Sequence, residues 1–168
     1  MTRIHGFVVG VTGSNGKTTT KEMLRTVLDT GGSCLATEAN QNTELGLPLT
    51  MLRRTSEHRS MVLEMGMRGR GQIRELCNIA KPTAGVITNI GHSHIELLGS
   101  QREIALAKAE LLQSITLEGV AALRFEDPWL KEMSTLCGGK VFWYGLENHL
   151  DAFPSNIRST DSGTDLSV

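Results

Sequence analysis

Phe7-Val8-Val9-Gly10-Val11-Thr12 is an apolar, β-branched run, and Gly13-Ser14-Asn15-Gly16-Lys17-Thr18 follows it without a break. Beyond the loop, Met23, Leu24, Val27 and Leu28 recur at helical spacing, Lys21, Glu22, Arg25 and Asp29 take the other side, and Gly31-Gly32 stops the pattern. The sequence therefore predicts a strand, a glycine-rich loop and a helix. That order is chemically informative. Glycines let backbone N–H groups turn inward around phosphate oxygens, the helix N-terminus adds partial positive charge, a lysine neutralises terminal phosphates, and the next hydroxyl can ligate Mg²⁺. The general loop pattern asks for a glycine where Val11 stands. Here Gly13 takes over the turn, giving a shorter Thr-Gly-x-x-Gly-Lys-Thr form. The predicted nucleotide site comprises Thr12, Gly13, Ser14, Asn15, Gly16, Lys17, Thr18 and Thr19.

Outward from this unit, short apolar runs alternate with helical patterns. Cys34–Thr37, Met61–Leu63, Ala84–Thr88, Val120–Leu123 and Val141–Tyr144 read as strands. Leu47–Leu52 and Trp129–Leu136 read as short helical segments, and Ile73, Leu76, Cys77 and Ala80 form an i, i+3, i+4, i+7 stripe that ends before Pro82. All-apolar strands between helices imply an α/β fold, a mostly parallel sheet with helices on both faces. From Asp151 the composition turns to Ser, Thr, Asp and Gly with sparse alternation at Ile157, Leu166 and Val168, which predicts a short antiparallel pair.

Composition narrows the function classes. In 168 residues, 39% are hydrophobic and 17 basic side chains meet 18 acidic ones, for a net charge of −1. This suits one globular domain and leaves no basic excess for general nucleic-acid binding. No apolar run approaches the roughly 18 residues of a membrane span, and no signal-peptide pattern stands at the N-terminus. A cytoplasmic protein is expected. Cys34, Cys77 and Cys137 are far apart and read as reduced core thiols.

Polar residues at the carboxyl ends of the strands are the next candidates, because ligands of open α/β sheets collect there. Glu64 follows Met61-Val62-Leu63 and precedes Met65-Gly66; a carboxylate opposite the loop suits Mg²⁺, with a surface ion pair as the alternative. Asn89 follows another strand and leads into Gly91-His92-Ser93-His94, where either histidine is a metal or phosphate ligand or is solvated. Asn40, Gln41 and Asn42 form a polar loop that by position faces the same site. Arg68 and Arg70 stand in a Gly-rich loop suited to an anionic substrate or to solvent. Ser100-Gln101-Arg102-Glu103 is a capping box, and Lys108 falls inside the apolar stripe Ile104, Leu111, Leu112, Ile115 that follows. An inward lysine must snorkel, pair, or lose its charge, and CO₂ capture would make it a carbamate able to bind Mg²⁺.

Taken together, Val11–Met23, Asn40–Pro48, Glu64–Gly69 and Asn89–Ser100 resemble four ordered motifs of the Mur ligase family, ADP-forming amide ligases of peptidoglycan synthesis, and within it the type that adds D-alanyl-D-alanine. The resemblance is to the family's central ATP-binding domain over residues 1–168, with the end of that domain, the N-terminal UDP-sugar domain and the C-terminal domain absent. It implies ATP and two Mg²⁺ ions as cofactors: Lys17 on the phosphates, Thr18 and Glu64 on one ion, His94 and a carbamylated Lys108 on the second. The implied catalytic set is Lys17, His94 and Lys108, with Asn40, Asn42 and Asn89 on the substrate side. The implied partners are UDP-N-acetylmuramoyl-tripeptide and D-alanyl-D-alanine, joined through an acyl phosphate by a monomeric enzyme, and the chain alone is expected not to turn over. A folylpolyglutamate synthase-like ligase and a non-catalytic nucleotide-binding module are the alternative readings.

Overall fold

A computed structural model describes residues 7–39, 41–160 and 163–168. Among them, β1 (Phe7–Thr12), β2 (Cys34–Ala36), β3 (Ser60–Glu64), β4 (Ala84–Ile87), β5 (Val120–Arg124) and β6 (Lys140–Tyr144) form one sheet in the order β2-β3-β1-β4-β5-β6. Every neighbouring pair is parallel. Strand order reverses between β1 and β4, so the crevice beyond the carboxyl end of β1 is where a ligand of such a sheet is expected. The expected antiparallel pair is present as β7 (Asn156–Thr160) and β8 (Gly163–Ser167).

Alternation along the strands separates two cores. Val9 and Val11 of β1, with Val62 and Ala84, point to the face covered by α1 (Lys17–Asp29), where Leu24 and Leu28 pack. Val8, Met61 and Leu63 point to the other face, under α3 (Gln72–Ala80), α5 (Gln101–Ser114) and α6 (Pro128–Met133), with α2 (Gly46–Leu52) contributing Leu47. The face of α1 differs from the sequence expectation. Lys21 is 1% exposed, whereas Met23 and Val27 stand 65% and 66% exposed. Two overlapping stripes, 21/24/28 and 23/24/27/28, were both available to this helix, and the one containing a lysine turns inward because that ammonium finds acceptors.

Two glycines set how closely α5 approaches the sheet. Gly10 and Gly85 are neighbours in the β1–β4 register. A Cβ on Gly10 would lie 2.8 Å from Leu111 Cδ1, and one on Gly85 would lie 3.1 Å from Leu111 Cγ. Leu111 thus occupies a notch that any larger pair of residues would fill. Lys108, one turn earlier on the same face of α5, is thereby held near the carboxyl end of β1. As expected, Cys34 and Cys77 are buried free thiols; Cys137 is free and half-buried.

Candidate phosphate and metal site

The loop after β1 is braced from β4. Ser14 N donates to Asn89 O (3.0 Å), Asn15 N to Asn89 Oδ1 (3.1 Å), Asn89 Nδ2 to Asn15 O (3.1 Å) and Thr88 Oγ1 to Asn15 O (2.6 Å). Gly91 N donates to Ser14 Oγ at 2.8 Å. Gly13 has φ 147°, and a Cβ there would meet Thr88 Oγ1 at 1.8 Å, so only glycine fits both the backbone and the space. Gly16, at φ 76°, caps α1 without a side chain, leaving its first amides for another partner. Lys17 Nζ folds back onto Gly13 O (2.9 Å) and Ser14 O (3.3 Å). Thr12, wholly buried, donates its hydroxyl to Met65 O at 2.9 Å.

Opposite the loop, Glu64 closes β3 and is 2% exposed. Thr18 Oγ1 donates to its Oε2 at 2.9 Å, and Asn42 Nδ2 to its Oε1 at 3.0 Å. No lysine or arginine pairs with this carboxylate among the described residues. An oxygen-only pair, one hydroxyl and one carboxylate, suits Mg²⁺, which keeps water and phosphate oxygens in the rest of its shell. The described residues hold no cluster of three or more His, Cys, Asp or Glu able to cage a metal.

A cavity of about 490 Å³ opens between these groups, lined among others by Gly13, Lys17, Asn42, Arg68, His94 and Lys108. Lys108 is 2% exposed and makes no hydrogen bond or ion pair among the described residues. Burial, and secondarily the Lys17 ammonium, push its pKa down to about 8. His94 caps the short α4 (Ile95–Leu98) with φ 69°, a left-handed conformation uncommon outside glycine. Desolvation, then the Lys108, Lys17 and Arg68 charges, hold its pKa below the ordinary value, which favours the neutral imidazole that ligates metals.

The structure thus brings Gly13, Lys17, Asn42, His94 and Lys108 to one cavity, with Glu64 joined to its edge through Asn42 and to the loop's helix through Thr18, while Asn15 and Gly16 face a second cavity. Asn89 is engaged in bracing the loop and lines this second cavity on the loop's other side, of about 580 Å³. Thr19 is exposed and lines neither cavity. Asn40 lies outside the described residues.

Several groups near the site did not stand out as functional in the sequence, where Gln101 read only as part of a capping box and Tyr144 as packing. Asp127 accepts from Ile90 N (2.8 Å) while capping α6, and Gln101 Nε2 donates to Ile90 O (2.9 Å); together they fix the loop that presents His94. Glu110, buried on α5, accepts from Gly71 N (2.7 Å) and Arg74 N (3.1 Å), capping α3 from another helix. Tyr144, Phe153 and Pro154 line the second cavity. Long-range pairing of this kind leaves no local spacing to read.

Strand, phosphate loop and helix, set under a parallel sheet at its switch point, define an α/β domain of the P-loop type. The carboxylate that ends β3, hydrogen-bonded to Thr18 at the start of α1, narrows the class further. The chain belongs to the Mur ligase family: residues 11–168 match the Mur ligase middle domain. It is 49% identical over 141 residues to UDP-N-acetylmuramoyl-tripeptide--D-alanyl-D-alanine ligase of Synechocystis sp., covering 83% of this chain and 31% of the relative. To the ligase of the same name from Bacillus subtilis it is 41% identical over 161 residues, 96% of this chain and 35% of the relative. Among solved structures, the MurF ligase from Thermotoga maritima in complex with ADP superimposes with a TM-score of 0.86 at 35% identity, covering 96% of this chain and 37% of that one. The chain spans about a third of the length of the curated relatives it matches. No helix among the described residues is long and apolar enough to cross a membrane.

Proposed function

We propose that this chain provides the MgATP site of an ADP-forming amide ligase that adds D-alanyl-D-alanine to UDP-N-acetylmuramoyl-tripeptide in the cytoplasm, working as a monomer. The observation that carries the proposal is the contact between Thr18, one position from the Lys17 that lines the cavity, and the buried Glu64, a carboxylate with no lysine or arginine partner among the described residues. The names of the relatives supply the substrates, and the ADP complex of the Thermotoga maritima structure supports the nucleotide.

In this reading the loop amides from Gly13 to Thr18 cradle the phosphates, and Lys17 swings from its loop carbonyls to the terminal phosphoryl group. Thr18 and Glu64 hold one Mg²⁺. His94 and Lys108, the latter as a carbamate, hold a second. When bound, the ions supply charge neutralisation to the phosphoryl group in transfer, so the protein's part is positioning and electrostatics. The acceptor's carboxylate attacks the γ-phosphorus, ADP leaves, and the incoming amine then displaces phosphate from the acyl phosphate. Asn42, beside Glu64, faces the acceptor side; Asn89 keeps the loop in shape. The second cavity, with Tyr144, Phe153 and Pro154 beside Gly16, takes the nucleoside.

Calorimetric titration of MgATP into the chain tests the reading, alongside Lys17→Ala and a magnesium-free control. Saturable, magnesium-dependent binding that Lys17→Ala abolishes is the expected result. A folded chain that binds no nucleotide, or binds it equally well with Lys17→Ala, overturns it.

A further inference from the structure

We propose that Lys21 and Thr37 are positioning residues that aim Glu64 at the phosphate loop, an inference that rests on the magnesium role given to Glu64 above. Lys21 is the buried residue of α1, in a helix that leaves Met23 and Val27 outside. Burying an ammonium is costly, and an apolar side chain of the same length would fill the space without that cost. What the charge gains is reach. Lys21 Nζ donates to the carbonyl of Thr37 at 2.6 Å and pairs with the half-exposed Glu22 at 2.9 Å.

Thr37 stands just past the end of β2, and each of its polar groups is engaged. Its N–H donates to Val62 O at 3.2 Å, extending the β2–β3 ladder by one bond. Its carbonyl takes the Lys21 ammonium, and its hydroxyl accepts from Glu64 N at 2.9 Å. The last residue of β3 is therefore held on this side by a side-chain hydroxyl where the ladder has run out. The relay begins on the helix whose first turn presents Lys17 and Thr18, and ends on the residue that Thr18 touches at 2.9 Å. Lys21 thus ties the separation of α1 and β3 to the placement of one carboxylate.

The test is calorimetric binding of ADP to the full chain, with and without Mg²⁺, for the parent, Thr37→Val, Thr37→Ser and Lys21→Met, each checked by a thermal melt. Thr37→Val keeps the volume and removes only the acceptor, so it tests the relay even if Lys21→Met fails to fold. The expected result is that the strengthening of ADP binding by magnesium falls about tenfold or more in Thr37→Val and in folded Lys21→Met, while magnesium-free affinity stays within about twofold and Thr37→Ser behaves as the parent. Undiminished magnesium strengthening in Thr37→Val overturns the proposal. So does an equal loss with and without magnesium, which would mark the relay as general support of the fold. A parent chain that binds ADP without any effect of magnesium refutes the metal role of Glu64 itself, and the relay with it.

Discussion

Replacing Lys108 by methionine is expected to stabilise the chain at neutral pH while removing a residue proposed for the reaction. The side chain is buried, unpartnered among the described residues, and pushed from the ordinary 10.5 to about 8. That displacement corresponds to about 3 kcal/mol held against folding wherever the amine is protonated. Methionine retains the stem's packing and sheds the charge. The variant should gain about 2–3 kcal/mol at pH 7, or about 5–10 °C in Tm for a domain of this size. The pH dependence follows from the same displacement. Below pH 8 the lysine is protonated folded and unfolded, and the cost is constant. Between about 8 and 10.5 the unfolded chain binds more protons than the folded one, so parent stability rises with pH and the variant's advantage shrinks towards zero. Urea unfolding of both proteins at pH 7 and pH 10.5, in CO₂-free buffer so that no carbamate forms, measures the difference. A variant no more stable than the parent at pH 7, or with the same advantage at both pH values, would refute the reasoning.

Three further outcomes are expected. Gly10→Ala should cost about 1–3 kcal/mol in urea unfolding by forcing Leu111 out of its notch, and a shortened Leu111→Ala partner should make the two changes less than additive. Glu110→Ala leaves two amides of α3 without their acceptor and should destabilise by about 2–4 kcal/mol, with Glu110→Gln keeping part of the loss because its amide oxygen still accepts one bond. The His94 ring, followed by NMR, should titrate below the ordinary 6.5 and move upward in Lys108→Met, since desolvation and then the Lys108 charge depress it; an unchanged midpoint in that variant would count against the shared cavity.

Much of the sheet was legible because its strands are short apolar runs bounded by turn chemistry, and the loop because Gly13, Gly16 and Lys17 have few other uses between a strand and a helix. Glu64 and Lys108 were legible as candidates through position, one at a strand end and one inside an apolar stripe. What stayed hidden was decided by partners distant in sequence. The inward turn of Lys21 depends on the carbonyl of Thr37, 16 residues away, and the cap of α3 depends on Glu110, 39 residues beyond Gly71. Hydrophobic periodicity assigns such charges to solvent, since it contains no information about which acceptor waits inside. The second cavity was invisible for the same reason: Tyr144 and Phe153 meet Asn15 and Gly16 only once the sheet has brought them to one edge.

The division of the core into two layers bears on how this site tolerates change. Lys17, Thr18 and Lys21 ride on the helix above one face of the sheet, whereas Lys108 is carried by the helix that grips the other. Substitutions beneath α1 and beneath α5 share few neighbours, so their effects should combine almost independently. Each half of the cavity answers to the packing of its own layer, with the sheet between them keeping the register, and what joins the halves is the Lys17 charge felt at Lys108 across the space they share.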